Sequence, residues 1–215
     1  MKVRHLAIVL TSLALMLSAG CSILPENDPP TLYRLPALDE AHASTSTASS
    51  RMDATQSATK RLGVAAPEAG YLLSSSRIVV YPENTQVKVY EGARWHEDTP
   101  ELLQARLIDG LQQSGLYAGV GSDHLPSDLL LLSELRHFQS VYENGRPSAV
   151  IQLDVQLVEA DSRASIGSQS FRTSSQAADV EIPAVVDAFG RASDTLVEQL
   201  TAWLSEQRTG VEARN

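Results

Sequence analysis

Two long apolar runs meet at Asn144-Gly145, and their pairing constrains the fold more than any other stretch of the chain. Asn-Gly suits a two-residue hairpin turn, which needs left-handed backbone at both central positions. In the return arm, Ser148–Ala160, the residues Ile151, Leu153, Val155 and Leu157 share one face, while Gln152, Asp154 and Gln156 share the other. That period of two predicts a strand with one buried and one wet face. The outgoing arm, Leu129–Tyr142, is long enough to require a bend or bulge. A turn at Asp161-Ser162-Arg163 leads into a third, more polar strand over Ser165–Thr173. The three together predict an antiparallel meander.

Shorter strand signals precede it. Thr31–Pro36 (TLYRLP) alternates and stops at proline, as an edge strand does. Arg61–Ala66, Ile78–Tyr81 and Gln86–Tyr90 follow, the last two joined through the turn-forming Pro82 and Asn84. Tyr117–Val120 reads as another short strand.

Two helices complete the pattern. Over Thr99–Ser114, Leu103, Leu107 and Leu111 recur every four residues, with Leu102 and Ile108 beside them; Gln104, Arg106, Asp109 and Gln113 are expected on the wet side. Thr99 is the expected N-cap, Pro100 the first helical residue and Gly115 the residue after the last turn. The second helix is expected from Pro183 to about Gln207, with Val185, Phe189, Ala192, Leu196, Leu200 and Trp203 as its stripe and Val186, Val197 and Leu204 widening it. The predicted class is α+β: a mostly antiparallel sheet with two main amphipathic helices packed on one side.

The N-terminal end predicts where the chain resides. Lys2 and Arg4 form a positive start, Leu6–Leu17 a short apolar run, and Ser18-Ala19-Gly20 lead to Cys21, the only cysteine in the 215 residues. About a dozen apolar residues are too few to span a bilayer and match a cleaved export signal. The small-small-Cys junction resembles the bacterial lipobox, departing from it at Ser18 where leucine is usual. Residues 1–20 are therefore expected as a lipoprotein signal peptide, Cys21 as the lipidation site and 21–31 as a lipidated tether. The domain is expected over 32–208, with a flexible insertion at 41–60 and a disordered tail at 209–215. In 41–60, fourteen of twenty residues are Ala, Ser or Thr, too little apolar surface to offset ordering entropy.

Charge narrows the function. The full chain carries −9; without residues 1–20, which hold Lys2 and Arg4, 17 basic side chains become 15 against 26 acidic, a balance of −11. Such a domain lacks the basic face that nucleic acid requires. Anionic lipid headgroups would not hold it either, so an acyl anchor must. No nucleophile elbow, Walker loop, zinc-protease motif or glycine-rich nucleotide fingerprint is present. His96, His124 and His137 lack ligand-like spacing, so neither metal nor cofactor is expected. Glu97 and Asp98 beside His96 lie where a helix start favours acids. A non-enzymatic binding module is the expectation, with the polar face of the meander and a groove beside Trp203 or Trp95 as candidate surfaces.

The run from Arg77 to Val120, with its strand, hairpin, Arg94-Trp95 pair and amphipathic helix, resembles the core of the ABC-type transport auxiliary lipoproteins, the PqiC-like family. Tyr33 and Leu35, Tyr71-Leu72, the meander and the terminal helix fit the same pattern, so the resemblance covers about residues 21–205. It implies a lipoprotein without catalytic residues. It would accompany an MCE-domain protein and an ABC-type or related inner-membrane transporter in moving lipid or other hydrophobic compounds between membranes, contributing to envelope integrity. Arg94 and Trp95 are expected as a structural signature, with partner contact as the lesser role. Direct lipid binding and homo-oligomerisation are left open. Ser22 after the cysteine favours the periplasmic face of the outer membrane over the inner membrane. The alternative is a lipoprotein chaperone or assembly factor for outer-membrane or surface structures.

Overall fold

A computed structural model of the chain describes residues 29–36, 59–83 and 85–212. The expected signal peptide, Cys21, most of the expected tether, nearly all of the expected 41–60 insertion and the last three residues of the expected tail lie outside the described residues. The described residues form two helices and one sheet of nine strands.

The meander is the backbone of the sheet. β7 (Leu129–Glu143) and β8 (Arg146–Glu159) pair antiparallel along their whole length, and β9 (Ser165–Gln176) continues on the other side of β8. At the first turn Asn144 and Gly145 have φ of 52° and 77°, the left-handed pair that their sequence predicts. The apolar alternation in β7 slips phase between Leu135 and Phe138. A bulge between Leu135 and His137 absorbs the slip, so both side chains point into the core.

The other strands dock in a way local pattern does not reveal. β2 (Arg61–Val64), β3 (Glu68–Ala69) and β4 (Arg77–Glu83) lie end to end along the free edge of β7, each parallel to it. Beyond β2 lies β6 (Gly119–Ser122), also parallel. Beyond β4 lie the antiparallel β5 (Gln86–Trp95) and then β1 (Thr31–Tyr33), which runs parallel to β5 at the sheet's margin. β5 continues past its expected end at Tyr90. Gly92, with φ of 67°, carries the strand through a register jump so that Arg94 pairs with Arg77 while Val89 pairs with Val79.

α1 (Thr99–Ser114) has the bounds its sequence predicts, and Gly115 closes it in the left-handed conformation. Its start differs from expectation: Asp98 is the N-cap and makes no side-chain cap bond. The Thr99 hydroxyl instead donates to the Ser75 carbonyl at 2.9 Å, tying the helix to the loop before β4. α2 (Ile182–Glu212) continues past the expected end near Gln207, into the stretch expected as tail. It lies across β8 and β9 and touches α1, which also contacts β2 and β6. Val185, Phe189, Ala192, Leu196 and Leu200 are completely buried.

The two helices approach closely at Gly110, where a Cβ would collide with Val197 Cγ1. Gly110→Ala is therefore expected to destabilise the domain by about 1–3 kcal/mol through overpacking, despite alanine's better helix propensity. Urea unfolding would check both sign and size.

Candidate functional site

The N-terminal segment joins the domain through strand pairing, a backbone hydrogen bond and a buried arginine. β1 pairs Thr31 with Ala93, Leu32 with Arg94 and Tyr33 with Trp95. The His96 N–H donates to the Tyr33 carbonyl at 2.8 Å. Pro36 then seats on α2 at Gly190, where an added Cβ would come within 2.9 Å of Pro36 Cδ. From α1, the Arg106 guanidinium donates to the Pro36 carbonyl and lies 3.4 Å from Asp194 Oδ1 on α2. One buried arginine thus links the N-terminal segment to both helices.

Arg106 does not take the wet side expected for it. Its side chain is 6% exposed, because α2 packs against that flank of α1. The Asp194 carboxylate and the Pro36 carbonyl receive the charge that packing removes from water. Outside this link a cleft of about 450 Å³ opens, lined by Arg34, Leu35, His96, Arg106, Asp109 and Gln113. Arg34 and Arg106 line it together with Glu97 and Asp109, so it presents no single charge to a ligand.

Trp95 is 1% exposed, with its ring edge-on to Phe138 and Phe189 at 5.8 and 5.3 Å between centroids. It is a core residue and lines no groove. Its indole N–H has no acceptor among the described residues. Trp203 is half-buried, edge-on to Phe171 and close over Gly167, so the expected groove between helix and sheet is filled at that point. Arg94 points to the opposite face from Trp95. It stands directly across from Arg77, with Leu32, 63% exposed, on its other side. Two like charges side by side on neighbouring strands disfavour each other.

The outer face of the meander is a polar ladder, as its alternation predicts. Arg136, the extra residue of the β7 bulge, donates from Nε to Asp154 Oδ2 at 2.8 Å and pairs with Glu134 at 2.6 Å. Ser170 donates to Asp154 Oδ1 at 2.6 Å, and Arg172 to Gln152 at 2.9 Å. The Ser170 hydrogen bond, then Arg136, hold the Asp154 carboxyl below its ordinary pKa. A shallow depression of about 360 Å³, lined by Ala65, Glu68, Ser133, Glu134, Asp154 and Gln156, lies on this side.

The remaining polar groups are dispersed. His96 lies 3.8 Å from Glu97 ahead of α1, His124 lies 3.9 Å from Asp123 in the β6–β7 loop, and His137 Nδ1 lies 3.4 Å from Gln139 Oε1. Among the described residues no three of His, Cys, Asp and Glu gather where they could hold a metal ion. Tyr90, whose hydroxyl donates to Ser140 at 3.2 Å, and Tyr117, pushed up to about 12, are both raised chiefly by burial.

Residues 43–201 match the family model of the ABC-type transport auxiliary lipoprotein component. The chain belongs to that family. A solved structure, XCC0632 from Xanthomonas campestris, shares 26% identity and superposes with a TM-score of 0.67, covering 72% of this auxiliary lipoprotein and 88% of that chain. A second, described only as an uncharacterised protein, shares the fold at 16% identity and a TM-score of 0.64, covering 83% of this chain and all of that one. The uncharacterised protein bll6063 of Bradyrhizobium diazoefficiens is 26% identical over 144 residues, which are 66% of this chain. The auxiliary lipoprotein spans 38% of that relative's length.

For an auxiliary lipoprotein the junction is informative, because it joins the domain to the segment that follows Cys21. Sequence reasoning missed Arg106 and Asp194, which sit on different helices far apart in the chain. One signal was available: Arg106 lies between Leu103 and Leu107, close to the helix's apolar stripe.

Proposed function

We propose that this chain is a periplasmic lipoprotein tethered through acylated Cys21 to the outer membrane, serving as a non-enzymatic auxiliary component of an ABC/MCE-type intermembrane transport system for lipid or other hydrophobic compounds. The observation that carries the reading is the seating of residues 31–36, within an auxiliary lipoprotein family. A freely jointed tether would only keep the domain near a membrane. A segment paired to β5 and fixed under Arg106 also restricts how the domain is presented to machinery from the opposite membrane. Several acyl chains on one cysteine would supply the retention that an acidic domain cannot gain from headgroups, at about 0.8 kcal/mol per buried CH₂.

Trp95 acts within the core in this reading. Arg94, unpaired with any acid among the described residues and flanked by Arg77 and the exposed Leu32, is the contact group offered to a partner's carboxylates. Cys21→Ala is expected to abolish incorporation of labelled acyl groups and to move the chain out of the membrane fraction. Wild-type chain, solubilised from membranes, is expected to bring down an MCE-domain protein. Recovery of β-barrel clients in place of any transport component would support the assembly-factor reading and end this one.

A further inference from the structure

One row of side chains crosses the outer face of the sheet without a carboxylate. Leu32 of β1 stands beside Arg94 of β5, and Arg94 beside Arg77 of β4. β4 runs parallel to β7 with Val79 level with Gln139, which puts Arg77 level with His137. His137 is paired with Gln152 of β8, and Gln152 with Arg172 of β9. The Arg172 guanidinium donates to the Gln152 side chain at 2.9 Å, a neutral acceptor that leaves its charge in place. Three guanidinium groups therefore lie on one line, in a chain with 26 acidic side chains. None of the three makes an ion pair among the described residues. Nearby Arg136, by contrast, is neutralised by Glu134 and Asp154. Arg77 and Arg94 are directly opposed, about 5 Å apart at Cβ, where like charges cost stability. An anion from outside the domain would relieve that repulsion.

We infer that this row receives an extended acidic segment of a partner protein, laid across the strands. The inference deepens the contact role given to Arg94 above and rests on that reading. Three strand spacings separate Arg77 from Arg172, about 14 Å. An extended chain covers that distance in about four residues and turns every fourth side chain to the same side. Carboxylates four residues apart would thus reach the Arg77–Arg94 pair and Arg172 together. An anionic lipid fits the row less well. The adjoining row toward the hairpin turns is Val79, Gln139 and Val150, only 2%, 8% and 7% exposed, so it offers acyl chains almost no apolar surface. The acidic remainder of the domain repels such a segment, so the row also determines where it can settle.

The test is titration of the purified full chain, in neutral detergent at low salt, with a fluorescent serine-glycine peptide carrying glutamate at every fourth position. Saturable binding is expected, with a Kd of about 10–100 μM. The same peptide with glutamine in place of glutamate is expected not to bind. Arg77→Gln and Arg94→Gln are each expected to weaken binding at least about tenfold. Each is also expected to raise Tm by about 1–3 °C, because the opposed charges are gone. Arg146→Gln, about 20 Å along β8 from Gln152, is expected to leave the affinity within about twofold. A lowered Tm with unchanged peptide affinity would give the two arginines a structural role and overturn the inference. Binding to phosphatidylglycerol vesicles in place of the peptide would overturn it too. Peptide affinity that both variants retain ends this inference and leaves the transport reading intact. Wild-type chain that captures no transport component ends the transport reading, while loss of peptide affinity in the variants would still support the row.

Discussion

Trp95→Ala is expected to lower the stability of the domain by about 3–5 kcal/mol, a large part of the 5–15 kcal/mol typical of a folded domain. The ring is buried between Phe138 and Phe189, themselves stacked at 4.8 Å between centroids, so its removal leaves a cavity bounded by strand and helix that neither element can fill. Trp95→Phe separates packing from polarity. The indole N–H has no acceptor among the described residues, so phenylalanine forfeits volume but no hydrogen bond, and a cost under about 1.5 kcal/mol is expected. Urea unfolding of both variants gives the comparison. Equal costs for Ala and Phe would show that the nitrogen matters more than the ring.

Arg106→Ala is expected to cost about 3 kcal/mol and to loosen the N-terminal junction. Removing one member of a buried pair is strongly destabilising, and the Pro36 carbonyl loses its donor at the same time. Amide exchange over 31–36 should quicken with little change in the meander. The double variant Arg106→Met, Asp194→Leu is expected to regain much of the lost stability, because apolar groups of similar size can replace a buried pair. Its N-terminal exchange should stay fast, since Pro36 still lacks a donor. A junction as slow to exchange as wild type would mean that β1 pairing alone holds the segment, and would remove the mechanical support from the proposed function.

Locally encoded features could be read directly. The Asn144-Gly145 turn, the β7 bulge, the full span of α1 and the buried stripe of α2 each follow from periodicity and turn chemistry within a few residues. The N-cap misassignment shows the limit of such reading. Thr99 has the right chemistry for a cap, but the helix starts one residue earlier: Asp98 holds the extended N-cap position, and Thr99, already helical, donates its hydroxyl to the Ser75 carbonyl. The wet-side assignment of Arg106 failed for a related reason: a helical wheel shows which residues flank the apolar stripe, but it does not show that a second helix will cover the flank.

By itself the amino-acid sequence determined the α+β class, the meander with one wet face and the two helices. These depend on contacts between near neighbours or on composition, where period and turn residues carry the information. Only the tertiary structure decided that β2, β3 and β4 share one edge of β7, that Trp95 closes the core while Arg94 faces outward, and that Arg106 joins the N-terminal segment to both helices. Those arrangements pair residues far apart in the chain, and backbone hydrogen bonds between parallel strands leave no mark in side-chain periodicity that would name the partner.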